Sequence, residues 1–374
     1  MLQNTIVVYW HHLRGLMSRF QFFCFTAASL LLAQPQFAQN ANLTPAQQRA
    51  KAKAQNVPEI PYEAVPNFLK LPPNLYLGEG IGVATNSKGH VFVYTRSQDT
   101  RLFEFDAKGN YLREIGEGLY GFAFAHAVRV DPQDNIWAVD EGTNMIIKFT
   151  PDGRVAMVLG HRPESVDGVP VTPGFGVAPP PAEPYTFNRP TDVAWDAQGD
   201  IFVSDGYGNS RVAKYDKNGK FIASVGSKGS ELGQLNLPHT LATDAQGNVY
   251  VGDRSNSRIE VFDNDLTPRK VYDQVGAPWA VCITPGPHQY IYSSNSNPDN
   301  NNSEIAAVTG DIFKMELDGT IVGKFGKAGK KPGEFSTIHE LDCHSENELY
   351  TAEITSWRVQ KILLHPHAQG SNAK

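Results

Sequence analysis

The chain has 374 residues, 41% of them hydrophobic, with 33 Gly and 25 Pro; it is long enough to bury a core and too apolar for a disordered chain. Its 33 basic and 39 acidic residues give a formal charge of -6, and no basic cluster interleaved with aromatics occurs in its body. Nucleic acid is therefore excluded as the expected partner.

In chain order, residues 1–41 read as an export signal. Arg14 and Arg19 precede the apolar run FQFFCFTAASLLLA, small and polar residues follow, and cleavage is expected between Ala38 and Ala41. Met17 opens a more ordinary signal than Met1. The run is too short to span a bilayer and no later stretch is longer, so a mature periplasmic or secreted protein without a membrane span is expected. Residues 42–61 read as a polar linker, residues 62–364 as one domain, and residues 365–374 as a disordered tail.

The domain is one unit written six times: GIGVATNSKGHVFVYTR, AHAVRVDPQDNIWAVDE, PTDVAWDAQGDIFVSDG, PHTLATDAQGNVYVGDR, PWAVCITPGPHQYIYSS and IHELDCHSENELYTAEI. Each is an apolar strand, a turn centred on Asp, Asn or Gly, and a second strand rich in β-branched and aromatic residues. The first five continue into a further strand pair such as RVAKYDKNGKFIASVG. Short strands with turn residues at fixed offsets signal all-β structure, and a period of about 40 to 50 residues signals a propeller. The fold class expected is all-β, a six-bladed β-propeller of NHL-type repeats. The sixth unit lacks a strand, which AVPNFLKL (64–71) is expected to supply, closing the ring and removing an edge. GVPVTPGFGVAPPPAEP and NSNPDNNNSEIAAV read as surface insertions. Cys24 leaves with the signal. Cys282 and Cys343 fall in inner strands and read as buried thiols, a disulfide between them being open in an oxidising compartment.

Aligned on the residue that closes the second strand, His126, His239 and His339 each precede an acid (Asp140, Asp253, Glu353) by 14 residues. They occupy one repeat position in blades two, four and six; the aligned residues of the odd blades are Gly82, Thr191 and Trp279. Packing would favour one residue type in every blade, so alternation marks a site. Alternate blades are related by about a third of a turn around the channel, and three imidazoles on one axis with a fourth position open form a catalytic zinc environment. His90, His288 and His344 fall in or beside turns and are not promoted.

The second strand runs back to the face where the first began, so the loops after it surround this metal site. They present Tyr207 from DGYGNSR, Arg254 from DRSNSR, and Arg96 where other blades have an acid. Guanidinium groups beside a dication suit a carboxylate, and a tyrosine in so positive a site is expected to ionise near neutrality. Surface ion pairing is the competing reading of the two arginines. Arg211 and Arg258, in the repeated NSR, read as scaffold.

FVSDGYGNSRV, LPHTLA, VGDRSNSRI and the His126 and His339 segments together resemble the peptidyl-α-hydroxyglycine α-amidating lyase family over roughly residues 60–364. The resemblance implies zinc on His126, His239 and His339, Tyr207 as catalytic base, and Arg96 and Arg254 holding the substrate carboxylate. It further implies a structural calcium at the backbone of Val83 and Val128 and the carboxylate of Glu340, where the family has Asp. Gly208 stands where animal enzymes carry a disulfide cysteine, and the hydroxylating domain of the animal bifunctional protein is missing. The expected activity is cleavage of the N–C bond of a carbinolamide to an amide and glyoxylate, by a monomer acting on a small or peptidyl substrate with a terminal carboxylate. A ureidoglycolate-type lyase, a non-catalytic propeller binding protein or glycan, and a calcium-dependent lactonase are the alternatives. Three imidazoles favour zinc over the last.

Overall fold

The computed structural model describes residues 43–162, 182–296 and 303–365. Among them, the strands form six four-stranded antiparallel sheets, five of which run in sequence order from the axis outward. The innermost strands are Glu79–Thr85, Ala125–Val130, Asp192–Trp195, Pro238–Thr243, Pro278–Ile283 and Ile338–Ser345, and each packs on the inner strands of its two neighbours. The chain is a six-bladed propeller.

The repeated turn residue explains the fixed offsets. Asp131 Oδ1 accepts the N–H groups of Gln133 and Asn135, and Asp196, Asp244 and Asn86 cap their own turns in the same way. A short side chain that closes a backbone turn on itself fixes the register of the two strands it joins. Apolar residues on both faces of each sheet then fill the gaps between blades: Phe202 and Val203, adjacent in blade three, enter two different clusters, one shared with blade four and one with blade two. This two-sided burial is why the strands read as nearly continuous apolar runs.

The ring closes between the first and last described strands. Tyr62–Ala64 pairs antiparallel with Arg358–Leu364, Tyr62 opposite Leu364 and Ala64 opposite Ile362. The closing strand therefore ends where 64–71 was expected to begin. Pro66 lacks a ladder donor, and Asn67 takes a left-handed conformation (φ 49°), so the chain turns off the sheet. Phe68, Leu69 and Leu71 pack instead beside blades one and six. Within 42–61, a helix Pro45–Ala50 is capped reciprocally by Thr44 and Gln47, and Ala52 is buried against blades four and five.

Cys282 and Cys343 are joined by a disulfide, their Cα atoms 6.1 Å apart, which corrects the reading of two thiols. The inner strands of blades five and six lie side by side, and Cys343 is one residue beyond the counterpart of Cys282. The export signal, most of the first insertion, residues 297–302 of the second and the tail beyond His365 lie outside the described residues. Among the described residues no helix is long and apolar enough to cross a membrane.

Candidate metal centre and active site

Each inner strand leaves regular pairing near its start. Bulges occur between Gly80 and Gly82, Ala125 and Ala127, Pro238 and Thr240, Pro278 and Val281, and Ile338 and Glu340; in blade three Thr191 precedes the strand. An extra residue re-aims a side chain, and here it directs one per blade at the axis: Ile81, His126, Thr191, His239, Trp279 and His339. Blade one thus contributes Ile81, not Gly82, since Gly80 pairs with Thr95 as Ala125 pairs with Asp140. By the same register Thr95 holds the acid position, and Arg96 is the residue after it. Arg96 and Arg254 are consequently equivalent residues of opposite blades.

The three histidines are 1%, 1% and 4% exposed, and their ring centroids lie 4.6–4.7 Å apart. Each Nδ1 meets a backbone carbonyl of the next blade: His126 meets Thr191 at 2.6 Å, His239 meets Trp279 at 2.7 Å, and His339 meets Ile81 at 3.0 Å. A carbonyl only accepts, so Nδ1 carries the proton and Nε2 is left as the lone pair. Burial, helped by the nearby arginines, holds all three pKa values well below the ordinary 6.5, so the rings are neutral. His239 Nε2 is buried with no hydrogen-bond partner. Ligand atoms of the three lie within 4.8 Å of one another. Three neutral imidazoles with oriented Nδ1–H groups and an orphaned Nε2 fit a metal such as zinc.

Tyr207 stands over this ring, its hydroxyl 3.4 Å from His126 Nε2. Arg254 lies 5.6 Å from the centroid of the Tyr207 ring and 4.1 Å from that of Trp279. Arg96 reaches the same mouth by stacking on Phe124 at 3.9 Å, where it donates to Glu79 (2.9 Å) and to the Ala125 carbonyl (3.3 Å). Two residues that sequence reasoning passed over complete the group. Arg189 lies 4.3 Å from the centroid of the Tyr207 ring and donates to the buried Glu141; it does so from a left-handed backbone conformation (φ 63°). Glu141 had a positional signal, since it follows the strand-ending Asp140 just as Arg254 follows Asp253. Tyr207 does not match the expectation of easy ionisation. Burial raises its pKa above 10, Arg254 and the other arginines oppose this, and Glu141 adds to the rise.

The Tyr207 loop is held without a disulfide. Gly208 N–H donates to the Asn188 carbonyl (2.9 Å) and Asn188 N–H to Asp205 (2.8 Å), and a Cβ on Gly208 would collide with the Asn188 side chain. Arg211 and Arg258 are scaffold as expected: each binds its strand-ending acid and carbonyls of the loop before its blade. A cavity of about 290 Å³ adjoins the site, lined in part by Arg49, Arg254 and Trp279.

Val83, Val128 and Glu340 do come together, but not as a calcium site. Glu340 Oε2 accepts the N–H groups of Val83 (3.1 Å) and Val128 (3.2 Å), so the backbone turns donors toward the carboxylate where a cation needs acceptors. Arg129 Nε lies 3.0 Å from Glu340 Oε1. These residues do not fit calcium.

The NHL repeat family matches residues 187–215 and 235–262, which are blades three and four and carry Tyr207, His239 and Arg254. Peptidyl-alpha-hydroxyglycine alpha-amidating lyase 1 of Drosophila melanogaster is 27% identical over 269 residues, covering 65% of this chain and 45% of that protein. Peptidyl-glycine alpha-amidating monooxygenase of Mus musculus is 27% identical over 329 residues, covering 78% of this chain and 31% of that one. The propeller carries NHL repeats in blades three and four, and the chain is similar to the amidating lyases. It spans less than half the length of either relative. A gluconolactonase from Xanthomonas campestris superposes with a TM-score of 0.53 at 16% identity, covering 82% of this chain and 99% of that one, a likeness of fold alone. What marks the chain as a candidate enzyme is the pairing of metal-ready histidines with an overhanging tyrosine.

Proposed function

We propose that the chain is an exported zinc-dependent lyase that cleaves the N–C bond of a peptidyl-α-hydroxyglycine-like carbinolamide, giving an amide and glyoxylate. The observation that carries this reading is the Tyr207 hydroxyl lying against the outward nitrogen of a three-histidine ring. His126, His239 and His339 would hold the zinc, which supplies Lewis-acid polarisation of a substrate oxygen. Arg254 and Arg96, with Arg189 beside them, bind and orient the terminal carboxylate. Tyr207, as phenolate, takes the proton of the carbinol hydroxyl; the electron pair left on oxygen forms the C=O of the aldehyde as the C–N pair leaves with nitrogen, and the proton passes to that departing amide nitrogen. Burial makes the phenolate costly, and the three guanidinium groups are the countercharges that offset it.

The cavity beside Arg254 and Trp279 would take the acyl side of the substrate. At about 290 Å³ it lies at the small end of ligand sites, which favours a short acyl group and keeps a ureidoglycolate-type substrate as the second reading. Export is supported by the N-terminal signal and by the Cys282–Cys343 disulfide, since such bonds persist in oxidising compartments. The test is metal content of the purified protein with glyoxylate release from α-hydroxyhippurate and from ureidoglycolate. About one zinc per chain with release from the first supports the lead reading. Release from ureidoglycolate alone moves the assignment to the second, and protein without zinc overturns both.

A further inference from the structure

Below the histidines, the channel already contains a cation. The bulges turn two successive residues toward the axis, so Asp192, Thr240 and Glu340 form a second layer directly beneath Thr191, His239 and His339. Arg129, from blade two, reaches across this layer with its side chain only 12% exposed. It donates to Asp192 twice (2.9 and 2.6 Å), to Thr240 Oγ1 (3.3 Å), to the Leu341 carbonyl (3.1 Å) and to the Val281 carbonyl (3.5 Å). One guanidinium thereby touches blades three, four, five and six.

Glu340 completes the circuit. Its Oε1 accepts no hydrogen bond but lies 3.0 Å from Arg129 Nε, whose proton goes to Asp192, while its Oε2 takes the N–H groups of blades one and two. All six inner strands are then tied through one ion cluster. Calcium would need six to eight oxygens at about 2.3–2.6 Å, and the Arg129 guanidinium already occupies the place where these acceptors converge. A planar five-donor group fits where carboxylates and carbonyls converge from several directions.

We infer that Arg129 is the structural cation of the propeller axis, and that the blades are held in register without calcium. The proposal is independent of the reaction the upper layer performs. It is tested on the zinc-loaded protein by calcium content after equilibration with millimolar CaCl2, and by Tm with and without that salt. R129M and R129K are melted alongside. No stoichiometric calcium and no calcium-dependent Tm are expected for the wild type. R129M, which strands two buried carboxylates, should melt roughly 10 °C lower, and R129K should recover part of that loss. One calcium per chain in the wild type, or R129M melting with the wild type, overturns the proposal. If R129M does not fold, the wild-type calcium measurement decides alone.

Discussion

The channel holds two layers of buried polar side chains, one to three residues apart on the same strands, and they differ in charge balance. The upper layer presents three neutral imidazoles whose outward nitrogens face one another, with His239 Nε2 bonded to nothing. The lower layer gathers Arg129, Asp192, Thr240 and Glu340 into a cluster in which guanidinium and carboxylates offset each other. Backbone and burial are alike in the two, so the fold does not distinguish them. Each layer leaves a buried atom without a hydrogen bond, His239 Nε2 above and Glu340 Oε1 below; buried polar groups are nearly always satisfied, and only the lower atom has an opposite charge beside it, Arg129 Nε at 3.0 Å, so the upper layer is where a ligand belongs.

That contrast can be broken most sharply at His239. In His239→Ala, zinc should fall from about one per chain to background, with glyoxylate release, while the circular dichroism stays that of a propeller; retained zinc would mean that the upper layer is not the metal site. Next in size, Tyr207→Phe should lower glyoxylate release by about 10²–10⁴-fold with zinc content unchanged, and loss of zinc would make Tyr207 a ligand. In the lower layer, Glu340→Gln should lower Tm by roughly 5–10 °C and leave zinc in place.

The acid response separates the layers differently. The folded histidines titrate well below 6.5 and the unfolded chain near 6.5, so below that pH the unfolded chain binds more protons. Stability is therefore complete above about pH 6.5 and is lost as pH falls toward the folded values. Metal-free protein scanned at pH 7.5, 6.5 and 5.5 should show a falling Tm, less steeply in His239→Ala, and a flat profile would contradict neutral buried rings. The smallest effect is expected at Ile81→Val: a Tm drop of a few degrees with zinc and activity intact, because Ile81 offers its carbonyl to His339 and nothing else to the site.

The repeat was legible because each turn is capped by its own Asp or Asn, which keeps the spacing constant. The histidine pattern was legible because the odd blades break it. Blade one misled, since counting back from the charged Arg96 lands on Gly82. Counting back five from the turn residue Asn86 lands on Ile81, just as counting from Asp131, Asp244 or His344 lands on a histidine. Arg129 was visible as a lone guanidinium on an inner strand whose counterparts are Ala84, Ala194, Ala242, Cys282 and Asp342. Its partners were not, because Asp192, Thr240 and Glu340 come from three other blades and only the closed ring brings them to one point. Arg189 stands where the next blade has Leu237, both left-handed (φ 63° and 65°), and its partner Glu141 comes from the blade before, so the sequence did not join them.

The pairing of Tyr62–Ala64 with the far end of the chain sets an order of assembly. The last sheet needs a strand made at the start of synthesis and one completed about 300 residues later, so no partial chain can seal its rim. Until both ends are present, the first and last blades expose unpaired edges, and so distant a pairing is slow to form.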